Sequence, residues 1–506
     1  MTQIDLKEYF KNLKVSVFKV PKGEKIGYIS TAPYHPSDNY PEYVFGSGHI
    51  SEEDNQAYRG VRESLRLLGL DRANFGKNSW NPLGEIIKPG DNVVIKPNFV
   101  LSSHMAGGEL YSIITHPAMI RAMVDYCYIA MRGAGKLTIA DAPQMDCDFD
   151  QLLKVTRIEE IKKFYEKEKG FSVNIYDLRN FWAQKGKEKI TFSNLRTELS
   201  GDPNGSSIIN LGEKSEFYKS GNQDKFYGAD FDRKETIRHH QGAIQEYSVS
   251  KTILLADVVI SMPKLKVHRK TGVTLNAKGL VGINTNKNYL VHYTLGTPSE
   301  NGDQFPEILG TGERFLVKTQ RLAFDRLLAR KSKAADFCYR VLTKAYKIFI
   351  EPLGIAVDPR KKLLDGGDWY GNDSAWKMVV DLMKIIYYAD HNGIIQKYPQ
   401  RKIFSVIDGI IGGEGEGPLV PDEKRSGVVI AGFNPVAVDL AAMKLMGFDW
   451  KKIRIYPNLL ASRNFDFFIN ESGQRPVISD FGAESQNFDF KPSLGWKGSI
   501  ELNPPK

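Results

Sequence analysis

Cysteine is nearly absent: three residues in 506, at Cys127, Cys147 and Cys338. An odd, widely spaced set without a CxxC excludes a disulfide framework, a zinc knuckle and a ferredoxin-type iron–sulfur cluster, and it fits a reducing cytoplasm. Long apolar runs are missing too. No window reaches the roughly 18 uncharged apolar residues that a membrane span requires. The first twenty residues, MTQIDLKEYFKNLKVSVFKV, are broken by charge every few positions and lack the apolar stretch of a secretory leader. The expectation is a cytoplasmic protein with no transmembrane segment.

Familiar catalytic signatures are also missing. No GxGxxG follows the first expected strand and no GxxxxGK[ST] occurs, which counts against dinucleotide and nucleoside-triphosphate sites. There is no GxSxG and no HExxH. His239-His240 is a lone pair with no partner at ligand spacing.

Charge is present but uneven. The net charge is +9, yet residues 313–347 hold ten Lys/Arg against three acids, so the remaining chain is nearly neutral. A nucleic-acid footprint would spread further, and none is expected. Within 313–347 the cations alternate with Phe315, Leu322, Phe337, Tyr346 and other apolar residues. Such a helix either packs on the core with a solvated basic face or makes peripheral contact with an anionic membrane.

With 42% hydrophobic and 25% charged residues the composition is globular. The length calls for more than one structural unit. Residues 1–84 read as an N-terminal lead-in. An α/β core occupies 85–300, with a polar elaboration at 180–245. A basic helical insertion covers 301–400, the core resumes over 401–465, and 466–506 forms an extended tail. Short apolar runs at Val93–Ile95, Leu137–Ala140, 171–176 and Val258–Ser261 alternate with helical stretches, as do 402–410 and 426–432. The helix starts carry proline at their first turns, Pro117 and Pro435. The pattern predicts an α/β fold: a mostly parallel sheet covered by helices on both faces.

In such sheets ligands bind beyond the carboxyl ends of the strands. Polar residues stand at five of these ends: Lys96 and Asn98, Asp141, the run Lys264, Lys266 and His268, Asp408, and Asn434. In an extended chain Lys264, Lys266 and His268 share one face. Two ammonium groups and an imidazole there suit a phosphate or carboxylate. Crowding would also lower one lysine's pKa and leave a neutral amine for base or Schiff-base work. Lys278 lies in a glycine-flanked segment, where Gly272, Gly279 and Gly282 permit close backbone approach. His116 stands at a helix start, where free N–H groups attract anions.

Acids give a second expectation. Asp408, Glu414 and Glu416 fall in or beside IGGEGEGPLVPDEKR, which reads as a long glycine-rich loop, and Asp439 follows. Asp408, Glu414 and Asp439 are candidate ligands for a divalent metal bridging to a phosphate. Their spacing matches no named motif. The alternative is solvated loop acids, with Asp439 in the first turn of its helix.

The segments GDNVVIKPNFV, THPAMIRAMV, TIADAP, ADVVISMPKLKVH, TLNAKGLVGI, IDGIIGGEGEGP and NPVAVDLAAMKLMG, in this order, resemble the bacterial and archaeal family called domain of unknown function 362. The helical insertion and NYLVHYTLGTPSENGDQFPE resemble longer members often found among polysaccharide-biosynthesis genes. Some members carry a ferredoxin-like cluster domain, and this chain departs from them in having no cysteine set for it. The resemblance supports Lys96, Asn98, His116, Asp141, Lys264, Lys266, His268, Lys278, Asp408 and Asp439 as motif positions, and it adds His292 and Asp303. Two functions follow as expectations. In one, an enzyme acts on an anionic metabolite, such as a precursor in glycan assembly. Lys96, Lys264, Lys266 and Lys278 would hold the anion, and His268 or His116 would serve as acid or base. In the other, a non-catalytic scaffold serves a membrane-associated glycan assembly complex.

Overall fold

A computed structural model describes residues 3–183, 196–229, 232–307, 364–462, 464–469, 478–479 and 487–503, with single positions between 319 and 348. Apart from those single positions, the expected basic helix at 313–347 lies outside the described residues. Among the described residues no helix is long and apolar enough to cross a membrane.

Strands β1 (Val15–Lys19), β2 (Asn92–Pro97), β3 (Lys136–Asp141), β4 (Val173–Asp177), β5 (Val258–Met262), β6 (Lys264–His268), β7 (Lys402–Glu416) and β8 (Val428–Gly432) belong to one large sheet. Its main order is β1-β8-β7-β5-β2-β3-β4. The run from β7 to β4 is parallel throughout. β8 and then β1 extend it antiparallel. The expected α/β fold with a mostly parallel sheet is therefore present.

Side-chain alternation divides the core. Val93 and Ile95 of β2 enter one apolar cluster with helices α1 (Gln56–Leu67) and α2 (Pro117–Met131). Val94, between them, enters the other. There it meets short α3 (Leu275–Gly279), α4 (Ala375–Tyr388) and α5 (Pro435–Met446). Both faces are covered, which is why the strands read as unbroken apolar runs rather than alternating ones.

Two expectations need correction. The glycine-rich stretch is strand, not loop: β7 runs fifteen residues to Glu416, and Val420–Lys424 pairs back along it. Its glycines serve close packing. A Cβ on Gly413 would stand 2.5 Å from the Ser112 carbonyl, and one on Gly409 would stand 2.7 Å from Val428. Residues 1–84 are more than a lead-in, since β1 sits inside the sheet between β8 and the short strand Ile478–Ser479.

One detail of topology makes room for a site. β5 lies between β2 and β7, but after Pro263 the chain continues as β6, which leaves β2 and pairs with the far half of β7, Lys264 opposite Asp408 and Lys266 opposite Gly413, and with the short strand Gly272–Val273. β2 stops at Pro97 and β3 at Asp141. β6 therefore projects beyond its neighbours and leaves a notch over their carboxyl ends.

Candidate functional site

A cavity of about 270 Å³ fills this notch. Its wall comes from the chain after β2 (Asn98, Phe99), the chain after β3 (Asp141 to Met145), β6 and its turn (Lys266 to Lys270), and the α3 region (Thr274 to Gly282). Lys287, His292, Asp368 and Pro418 complete it. Six predicted residues thus meet here: Asn98, Asp141, Lys266, His268, Lys278 and His292. Lys96 stands behind them, donating to Asp141 Oδ1 at 2.9 Å and to the Pro97 carbonyl at 3.0 Å. Gly282 presses on this pair, for a Cβ there would lie 1.9 Å from Asp141 Oδ1.

Charge in the wall is unbalanced. The cations are Lys266, Arg269, Lys270, Lys278 and Lys287, and the acids are Asp141 and Asp368. Both acids are already paired. Asp141 holds Lys96, and Asp368 holds Lys270 at 2.8 Å and Arg269 at 3.7 Å. Lys266 donates to the Ile113 carbonyl at 2.6 Å, and Lys287 to the carbonyls of Ala142, Val281 and Asn284. Lys278 has neither hydrogen bond nor ion pair from its ammonium among the described residues. Burial, reinforced by neighbouring lysines, pushes Lys266 well below the ordinary lysine range. Burial likewise brings Lys278 and Lys287 down to about 7. The Asn98 amide oxygen and the Thr274 hydroxyl, both in the wall, are buried without a partner among the described residues. Unmatched donors and acceptors around a cationic hollow are what a polar anionic ligand would satisfy.

The two imidazoles of the cavity differ in tautomer. The Lys270 backbone N–H donates to His268 Nδ1 at 3.1 Å, so the neutral ring carries its proton on Nε2. His292 Nδ1 faces the Leu290 carbonyl at 3.0 Å, so it must donate there, and Nε2 keeps the lone pair. Burial and then the Lys278 charge hold both rings well below the usual histidine pKa, so both are neutral at pH 7. One ring presents a donor and the other an acceptor. Of the acid and base roles expected of His268, this tautomer offers the donor: its free Nε2 carries a proton.

Other predicted residues are held elsewhere. Lys264, Asp408 and His116 form a closed knot with Tyr28, which sequence spacing could not have supplied. Asp408 accepts from Tyr28 Oη at 2.5 Å, Lys264 Nζ at 2.9 Å and the His116 backbone N–H at 2.9 Å. The His116 ring stacks on Tyr28 with centroids 4.0 Å apart, and its Nδ1 caps α2 by accepting from Ala118 N–H. Lys264 and His116 are therefore engaged in this knot and do not line the cavity. Asn434 caps α5, accepting from Val436 and Ala437 and donating to two carbonyls, so no group is left for a ligand. Asp303 accepts from Thr294 and Asp373 N–H groups, fixing the strand that carries His292.

The expected metal ligands do not converge either. Asp408 lies in the knot. Asp439 accepts from Asn276, Ala277 and Tyr456, and burial raises its carboxyl to about 7. Glu414 pairs with Lys424 at 3.2 Å and Lys491 at 3.6 Å. Among the described residues no three His, Cys, Asp or Glu side chains stand together as a cation would require. These acids do not fit a shared metal.

Sequence reading missed Lys287, Lys270 and Thr274. Lys270 carries the two-residue alternation of Lys264, Lys266 and His268 one step further, a signal that was readable. Lys287 opens a short 3-10 helix (Lys287–Tyr289), and its donation to the Ala142 carbonyl at 2.8 Å brings it to the end of β3. The family model described as domain of unknown function (DUF362) matches residues 93–179 and 183–444, so the chain belongs to that family. No curated protein and no solved structure matches it.

Proposed function

We propose that this member of the family is a cytoplasmic enzyme that receives the phosphate or carboxylate end of a small metabolite in the cavity at the ends of β2 and β3. One observation carries the reading: every acid in the wall is already paired, whereas Lys266, Lys278 and Lys287 have no carboxylate partner among the described residues. An arriving anion supplies the missing charge, with His268 Nε2–H, Thr274 and Asn98 available to fix its orientation. The volume of about 270 Å³ falls just below that of ligand pockets, which span about 300–1,000 Å³. It suits an anionic head group, such as that of a phosphorylated sugar in glycan assembly, better than a whole nucleotide-sugar. The cytoplasmic setting rests on cysteine usage.

Empty, the cavity sheds protons from its lysines. Occupied by an anion, it regains them. Binding of inorganic phosphate or a sugar phosphate is therefore expected to take up protons and to weaken as pH rises above about 7. Calorimetry in buffers of different ionisation enthalpy measures the uptake. Lys266→Met removes one charge-assisted contact, worth about 1.5–3 kcal/mol, and is expected to weaken binding roughly 10- to 150-fold. Equal binding by wild type and variant would sink the assignment.

A further inference from the structure

Most lysines buried near this cavity are held. Lys96 holds Asp141, Lys264 holds Asp408, Lys270 holds Asp368, and Lys266 and Lys287 donate to backbone carbonyls. Lys278 is the exception. It is 6% exposed, lines the cavity, and has no partner for its nitrogen among the described residues. An unrestrained amine beside two neutral imidazoles of opposite tautomer is a nucleophile with a proton acceptor at hand.

Resting on the anion-site reading above, we propose that Lys278 forms an imine with a carbonyl compound that also bears an anion, namely a small 2-oxo acid. The carboxylate meets Lys266 and Lys287. His268 Nε2–H donates to the carbonyl oxygen and keeps its proton. Lys278 Nζ attacks the carbonyl carbon, the C–N bond forms, and the C=O π pair moves to oxygen. His292 Nε2 carries the two amine protons in turn to that oxygen. The C–O bond breaks, water leaves, and C=N remains. No oxidant or reductant enters.

Burial, and then Lys270, favour the free amine, and the value of about 7 leaves roughly half of Lys278 neutral at pH 7. An ordinary lysine near 10.4 is neutral in only about one molecule in 2,500 at that pH. The remaining charges facing the site belong to Lys266, Lys287, Arg269 and the paired Asp141 and Asp368.

The test uses the full chain with pyruvate and sodium borohydride at pH 7, followed by peptide mass mapping. The expected result is a reduced carboxyethyl adduct on Lys278, on the order of 10³-fold above surface lysines, and suppressed by excess lactate. Lactate has the carboxylate without the carbonyl. His292→Gln is expected to slow trapping at least tenfold while lactate still raises the melting temperature. No adduct at Lys278, or one no more abundant there than on surface lysines, overturns the proposal. If pyruvate and lactate both raise the melting temperature but no adduct forms, the imine is wrong and the anion site stands. If neither they nor phosphate shift it, the anion site itself fails.

Discussion

Lys278 and Lys287 give the folded chain a pH signature. Each is protonated up to about 10.4 when unfolded, whereas burial lowers both to about 7 in the fold. Between these values the unfolded state binds more protons, so stability rises with pH, by about 1.4 kcal/mol per pH unit for each lysine. Below pH 7 both states are protonated and the slope vanishes. Urea unfolding of the ligand-free chain at pH 7.5 and 8.5 is expected to show this gain, and Lys278→Met is expected to remove one lysine's share of it, about 1.4 kcal/mol per pH unit. The Lys96–Asp141 pair acts in the opposite sense to a surface pair. Both side chains are buried, so Asp141→Asn leaves an ammonium without its counter-charge and is expected to destabilise by about 3–5 kcal/mol. At this scale the site was partly legible. Alternation placed Lys266 and His268 together, and the strand-end rule added Asn98 and Asp141. The same rule put Lys264 and Asp408 at the site, and the helix-start argument put His116 there, whereas Tyr28, some 80 residues or more away in sequence from each, holds all three in the knot.

Elements were read best where their signals were local. Pro117 and Pro435 opened α2 and α5 as expected, with His116 and Asn434 as the caps. The strands of the parallel core declared themselves by apolar runs. The far part of β7, beyond residue 410, did not, because glycine and glutamate are poor strand formers and the reason for its glycines is lateral contact with other segments. That reason makes Gly413→Ala informative. Its added methyl meets a backbone carbonyl at 2.5 Å, which cannot rotate away as a side chain would. A loss of about 1–3 kcal/mol in denaturant unfolding is expected. Had the stretch been the loop that its composition suggests, the substitution would be neutral or slightly stabilising.

At the scale of the molecule, the large sheet gathers segments from both ends of the chain. β1 covers β8, and Ile478–Ser479 pairs with β1 in turn. Val15, Val17 and Phe18 are 0–5% exposed, with the valines in one apolar cluster and Phe18 in the other, so this single strand ties the two faces together. Burying such side chains contributes about 1.5–3 kcal/mol each. Their combined loss approaches the roughly 5–15 kcal/mol that holds a domain folded. Removing residues 1–19 would also bare the backbone of β8, and an unpaired apolar edge invites association. The truncated chain is therefore expected to lose its cooperative unfolding transition and to elute as aggregate in size-exclusion chromatography. A monomer with an unchanged melting temperature would show that β1 is an accessory after all. The cavity depends on the same sheet, since its wall is assembled from residues as far apart as Asn98 and Pro418. No local segment can keep that wall once the sheet opens, so phosphate binding and the unfolding transition are expected to vanish together in the truncated chain.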